Sequence, residues 1–192
     1  MTSSAPVSLP LTTTPVAVAL GCGRGQLDKL IRAGLLAVIG YHGKSRLLDP
    51  NAVAALAAVP FIAPPQPGAA LRGLIVHTDG LAKDTDSSNA RPYAGWSVPG
   101  SAGYPSITSA ERQKAWGAWW NTGRALAADA IGLVLLQSTS GWIGEVGVIT
   151  HAHPHPTRPG FWFETVPAPH DVAAQYAGHR LRASPGAPWE RL

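Results

Sequence analysis

The chain has 192 residues, of which 45% are hydrophobic and 14% are charged, and it carries a net charge of +4. This length predicts one or two domains, and the single cysteine excludes an internal disulfide framework and fits a reducing compartment. The sequence has neither a signal-peptide pattern nor an apolar run long enough to span a bilayer, so we expect a cytoplasmic protein without a membrane partner. The mild excess of positive charge is compatible with a polyanionic partner.

The chain opens with a predicted arm and a short helix. Residues 1–11 are rich in serine, proline and leucine, which predicts a flexible arm. Thr13 or Thr14 followed by Pro15 is typical of a helix start, because a threonine caps the first turn and proline suits the first helical position. Gly21 predicts the end of this helix.

A second helix, a hairpin and a third helix complete the predicted N-terminal domain, residues 12–59. The second helix is expected to end at Gly34, a suitable glycine for a helix C-terminus. Two short strands on either side of Gly43 predict a hairpin with a basic tip. Asp49 before Pro50 again combines a cap with proline and predicts the third helix.

The character of the sequence changes after residues 60–68, which contain four prolines and predict a linker. Residues 69–192 are predicted to form a β-rich domain. The segment "TSAERQKAWGAWW" fits a helix because it opens with a cap and a glutamate, and its three tryptophans equally fit a strand. Four runs of β-branched and aromatic residues predict strands, at residues 71–77, 132–138, 142–151 and 160–166.

The second helix is amphipathic in a way that a nucleic-acid contact would explain. On a helical wheel, Leu27, Leu30 and Ile31 fall on one side and long polar donors lie on the other. Gly25 lies on the polar side, where glycine costs about 0.5–1 kcal/mol relative to alanine. A helix whose backbone closely approaches a phosphate or a base edge would favour such a glycine.

The stretches "TTTPVAVALGCGRGQLDKLIRAGLL" and "GKSRLLDPNAVAAL", within residues 12–58, resemble the winged helix-turn-helix of excisionases and MerR-type regulators. The resemblance implies that the second helix enters the major groove and that the hairpin, the wing, touches the flanking backbone. Gly25 and Asp28 depart from the family pattern, and Asp28 is expected either to accept from a cytosine amine or to pair with a neighbouring arginine. The DNA contacts implied by the resemblance are Arg24, Gln26 and Lys29 at base edges, with Arg32 on the same helix and His42, Lys44, Ser45 and Arg46 in the wing.

The overall layout, together with the run "ADAIGLVLLQSTSGWIGEVGVI", resembles the immunity repressors of actinobacteriophages, including mycobacteriophages, which bind stoperator sites. This resemblance implies a monomer whose second domain also contacts DNA. For any single cation of that domain, an ordinary solvated side chain is the expectation that we prefer. The candidate contacts are Lys83, Arg91, Arg112, Lys114, Arg124 and Arg158.

The sequence therefore predicts an α+β protein: an N-terminal winged helix-turn-helix domain and a C-terminal β-rich, small barrel-like domain with one or two helices. The predicted function is sequence-specific binding of double-stranded DNA by a transcriptional repressor, which acts as a steric block at asymmetric operator or stoperator sites. We expect no enzymatic activity, no cofactor and no metal. An excisionase-like recombination directionality factor is the alternative within DNA binding.

A metalloenzyme fused to a DNA-binding domain is the alternative from another class. His151, His153 and His155 alternate along a predicted strand, and imidazoles on one face of a strand can bind zinc. Pro154 and Pro156 disfavour that arrangement, because proline interrupts a strand ladder. The tryptophans of the "AWGAWW" run fit stacking on unpaired bases, and packing in the core is the expectation that we prefer.

Overall fold

Glycines and caps delimit the short elements at the N-terminal end of the chain. The computed structural model describes residues 9–62, 72–89, 91–101, 104–182 and 188–192. Residues 1–8 of the predicted arm and 63–68 of the predicted linker lie outside these ranges. Within residues 9–62, here called the N-terminal unit, the elements are β1 (Leu11–Thr12), α1 (Thr13–Leu20), α2 (Arg24–Arg32), β2 (Val38–His42), β3 (Ser45–Leu48) and α3 (Pro50–Ala58).

The predicted helix boundaries are largely confirmed in this unit. Gly21 and Gly34 follow α1 and α2 with φ values of 64° and 74°, which favour glycine. The Asp49 side chain accepts a hydrogen bond from the amide of Asn51 at 2.9 Å and caps α3. The expected cap of α1 is wrong by one or two residues, since Thr12 precedes the helix and makes no side-chain cap hydrogen bond.

The predicted hairpin is present and joins a small antiparallel sheet in the order β1-β3-β2. Leu11 pairs with Leu48, so the last residue of the predicted arm belongs to this sheet. The buried side chains of α1, α2, β3 and α3 pack together beneath the sheet.

The remaining described residues, 72–192, form the C-terminal unit. Its elements are β4 (Gly73–His77), β5 (Ala82–Lys83), β6 (Tyr93–Ala94), α4 (Ser109–Gly117), α5 (Arg124–Asp129), β7 (Val134–Thr139), β8 (Trp142–Pro154), β9 (Phe161–Pro167), α6 (His170–Tyr176) and β10 (Trp189–Arg191). A 3₁₀ turn covers Ser87–Asn89.

The central sheet has the order β10-β4-β7-β8-β9, with β4 and β7 parallel and the other neighbours antiparallel. The prediction of a small barrel is wrong, because β10 and β9 are the two end strands of the sheet and no pairing between them closes it within the described residues. Both faces of the sheet are already buried, since Leu74 and Val76 pack on one side and Ile75 on the other. A sheet that is covered on both faces would bury little additional apolar surface by closing into a barrel. The three described helices of this unit also exceed the one or two expected.

The segment that fitted both a helix and a strand is helical. Thr108 and Glu111 bond each other's backbone amides, and this reciprocal cap begins α4. Trp116 lies in the last turn and is buried in the main core at 2% exposure.

Buried contacts join the two units. Trp142, the first residue of β8, packs in the core of the N-terminal unit and donates its indole N–H to the carbonyl of Leu56 at 3.2 Å. Arg180 stacks on Phe61 with 3.9 Å between its guanidinium carbon and the ring centroid. Ala33, directly after α2, is buried in the core of the C-terminal unit. The two units therefore pack as parts of one folded body.

None of the helices in the described part of the chain combines the length and the apolar composition of a membrane span.

Candidate nucleic-acid interface

One face of α2 is buried and the opposite face is open. Leu27 and Leu30 are 1% and 0% exposed, while Arg24, Gly25 and Arg32 are exposed. A Cβ added to Gly25 would have no heavy atom within 4 Å. Packing inside the described protein therefore does not require glycine at this position.

Gln26 has a structural role in addition to its predicted contact. Its side-chain oxygen accepts a hydrogen bond from the amide of Gly23 at 2.8 Å, which stabilises the first turn of α2. Its backbone carbonyl accepts from the hydroxyl of Ser140 at 3.0 Å, so the β7–β8 turn lies against α2. The side-chain amide nitrogen of Gln26 therefore remains available for the predicted contact with a base.

Two of the predicted DNA contacts are held in ion pairs. Arg46 in β3 lies 2.6 Å from Asp28 in α2, so Asp28 takes the second of its two expected roles and pairs with a neighbouring arginine. Arg32 bonds both carboxylate oxygens of Asp79, a residue that follows β4 in the other unit, at 2.9 and 2.8 Å. Lys29 is half-buried on the same helix and makes no ion pair with a described residue.

The tip of the β2–β3 hairpin is exposed. His42, Lys44 and Ser45 surround Gly43, whose φ of 60° lets the chain turn tightly. Ile39 and Tyr41 on β2 are 53% and 68% exposed, so the hairpin also presents apolar surface. The sequence does not identify these two residues, because alternation along a strand does not show which face another element covers.

The carboxyl ends of the parallel strands β4 and β7 lie next to α2. Asp79 and Gly80 follow β4, and a Cβ on Gly80 would lie 2.5 Å from the backbone of Arg32. Partial burial raises the pKa of the Asp79 carboxyl, but hydrogen bonds from Arg32 and from the Gly80 amide outweigh burial and leave the pKa below its ordinary value. Beside this contact lies a cleft of about 830 Å³, lined by Ile31, Arg32, Asp79 and Tyr104 among other residues.

Most of the candidate contacts of the second domain are engaged within the protein. Arg91 is nearly buried beside Asp84 at 2.6 Å, and Arg158 bonds Asp86 at 3.0 Å. Arg112 lies 3.9 Å from Glu145, and the ammonium of Lys114 is 5.3 Å from the ring centroid of Trp162. Of the six candidates, Lys83 and Arg124 are exposed and form no ion pair with a described residue.

The three histidines do not converge on one point. His153 lies 2.9 Å from Glu164 and His151 lies 3.7 Å from the same carboxylate. His155 is buried beyond the end of β8 with its ring against Trp119. His151 and His153 share one face of β8, with 5.8 Å between their ring centroids, but the strand ends at Pro154 and His155 lies outside the expected alternation. Among the described residues, no three His, Cys, Asp or Glu side chains are grouped as metal ligands would be.

The tryptophans are engaged in packing and hydrogen bonds. Trp119 and Trp120 are half-buried, and their indole N–H groups donate to the carbonyls of Asn89 and Trp116 at 2.9 and 3.0 Å. This arrangement favours the packing interpretation over stacking on bases. Cys22 is half-buried in the turn before α2, and burial raises the pKa of its thiol.

No family model, curated protein or solved structure matches this chain. A function is therefore proposed from the exposed faces of α2 and of the β2–β3 hairpin and from the contacts of α2 with the C-terminal unit.

Proposed function

We propose that this chain is a sequence-specific, double-stranded DNA-binding transcriptional repressor of the phage immunity-repressor type. In this proposal α2 lies in the major groove and the β2–β3 wing contacts the flanking backbone. The observation that carries the proposal is the open face of α2, where Arg24 and Lys29 flank Gly25. The missing side chain lets a phosphate or a base edge approach the helix backbone between two cations.

The charge of the N-terminal part agrees with this proposal. Residues 1–58 contain five basic and two acidic residues, a net charge of +3. One of the two acidic residues, Asp28, pairs with Arg46, and the other, Asp49, caps α3. Both carboxylates therefore have partners within the protein when a phosphate approaches.

The C-terminal unit is proposed to extend the footprint on one side. Lys83 is the preferred contact, because it follows the segment 79–82 that flanks the last turn of α2. Arg124 is a second exposed cation of this unit. Two different units then contact the same duplex, which predicts an asymmetric site.

One chain per site is proposed. The longest described helices have nine residues, which is too short for the coiled-coil dimer helix that commonly follows such domains. Repression would be steric, since a bound chain blocks a promoter or an elongating polymerase.

Selection of binding sites from a random pool of duplex DNA by the full chain tests the proposal. We expect an enriched, non-palindromic sequence, and we expect Arg24→Ala to lower affinity for it by about 1–3 kcal/mol with a much smaller loss on random duplex. Arg191→Ala is the matched control, because Arg191 pairs with Leu74 at the end of β4 remote from Asp79. Absence of any enriched sequence, or equal losses for both variants, would contradict the proposal.

A further inference from the structure

The contact between Arg32 and Asp79 has a specific geometry. The Nε and Nη2 atoms of Arg32 donate to Oδ1 and Oδ2 of Asp79 at 2.9 and 2.8 Å. Arginine has five N–H donors in a plane, so this side-on pairing leaves the edge formed by Nη1 and the second hydrogen of Nη2 for another partner. The Arg32 side chain is 55% exposed, and that edge is therefore accessible.

The carboxylate that holds Arg32 is itself held in place. The amide of Gly80 donates to Oδ1 of Asp79 at 2.7 Å, and Gly80 packs against the backbone of Arg32. Val98, in the same unit, donates its amide to the carbonyl of Ala33, directly after α2. Asp79 is thus fixed relative to the helix that carries the arginine.

We infer that Asp79 is a positioning residue for Arg32, and that Arg32 uses its remaining edge to recognise a guanine in the major groove. This inference rests on the proposed DNA-binding function. Guanine presents its O6 and N7 as two adjacent acceptors, and two parallel N–H groups of one guanidinium match them. The C-terminal unit then contributes to base recognition through a residue that does not itself touch DNA.

Orienting the guanidinium of Arg32 before DNA binds reduces the entropy cost of binding. A free arginine side chain loses rotamer freedom, and therefore conformational entropy, when it is immobilised on binding. Asp79 removes part of this cost before DNA binds, because Arg32 is already oriented. Loss of the carboxylate should therefore weaken one base preference without changing the others.

The test measures the relative affinities of the full chain for all four bases at each position of its selected site. We expect one position where guanine is preferred by about five- to 150-fold, and Arg32→Ala should abolish that preference. Asp79→Ala should reduce the same preference by about three- to tenfold, and Asp79→Asn, which keeps one acceptor oxygen, should give an intermediate value. The double variant should match Arg32→Ala.

The control separates positioning from a merely structural contact. Asp86→Ala removes the carboxylate of another exposed ion pair in the same unit, that with Arg158, and should leave every base preference unchanged. A uniform loss of affinity in Asp79→Ala, or a preference for guanine at that one position that survives Arg32→Ala, would overturn the inference while leaving DNA binding intact. A wild-type chain without any base preference would instead overturn the proposed function itself.

Discussion

Gly25 is the residue of α2 that packing within the described protein does not explain. It lies on an exposed helical face with open space around the position of a Cβ. We expect Gly25→Ala to stabilise the fold by about 0.5–1 kcal/mol, because alanine is the better helix former. The same variant should bind the selected DNA site more weakly, because the added methyl group would meet the duplex.

Denaturant unfolding and a DNA titration of the same preparation measure the two effects of Gly25→Ala. A variant that is more stable and binds DNA as tightly as the wild type would show that the duplex does not approach this position.

Lys44 and Arg46 should differ as wing residues. Lys44 is exposed at the tip, so Lys44→Ala should lower the slope of log affinity against log salt by roughly one unit on any sequence. Arg46 is neutralised by Asp28 at 2.6 Å, so Arg46→Ala should change the slope less. Equal slopes for the wild type and Lys44→Ala would show that the wing tip does not contact DNA.

At the scale of elements, the segment between β5 and β6 depends on a nearly buried ion pair. The side chains of Arg91 and Asp84 are 12% and 8% exposed. Burial raises the pKa of Asp84, but hydrogen bonds from Arg91, from the Asp86 amide and from Asn89 outweigh burial and leave it below the ordinary value. The ionised carboxylate therefore contributes stability that is present above about pH 4 and is lost as the pH falls through the folded-state pKa.

Asp84→Asn should lower the free energy of unfolding by about 3–5 kcal/mol near neutral pH, because it leaves the guanidinium of Arg91 without its counter-charge. The variant should also lose stability less steeply than the wild type below pH 4. Urea unfolding as a function of pH measures both effects, with Asp129→Asn, an exposed carboxylate at the end of α5, as the control. Parallel pH curves for the wild type and Asp84→Asn would contradict this account.

Elements whose boundaries depend on local chemistry were predictable from the sequence. Glycines with positive φ at 34 and 43 and the cap at Asp49 mark α2, the hairpin and α3 at the expected places. The pairing of β4 with β7 was not predictable, because an apolar strand has the same pattern in a parallel sheet and in a barrel. The strand β10 consists of three residues, too few for any periodicity.

The candidate site was predictable only within the N-terminal segment. Helical periodicity shows which residues of α2 lie on its polar face, so Arg24 and Lys29 could be selected from the sequence. The partner of Arg32 could not, because Asp79 lies 47 residues away and meets it only through the packing of the two units. The carboxylate partner of Arg158 lies 72 residues away within the C-terminal unit, and that of Arg91 lies only seven residues away but in a segment without helical or strand periodicity, so neither was foreseen.

At the scale of the whole molecule, Trp142 joins the two units. The residue begins β8 yet is buried in the core of the N-terminal unit. We expect Trp142→Ala to lower the free energy of unfolding by about 3–5 kcal/mol, the usual effect of deleting a buried aromatic ring. Trp142→Phe keeps most of the ring and should lose less.

Thermal unfolding followed by two probes, one in each unit, tests whether the units depend on each other. The buried contacts predict a single coincident transition for the wild type and for Trp142→Phe. Separate transitions in the wild type would show that each unit is stable without the other.

The mass of the complex between the full chain and its selected duplex tests whether one chain binds an asymmetric site. A two-fold symmetric dimer imposes a palindromic site, whereas two units of one chain bind an asymmetric one. We predict one chain per duplex on a non-palindromic site. Two chains per duplex, or no complex with duplex DNA at all, would contradict it.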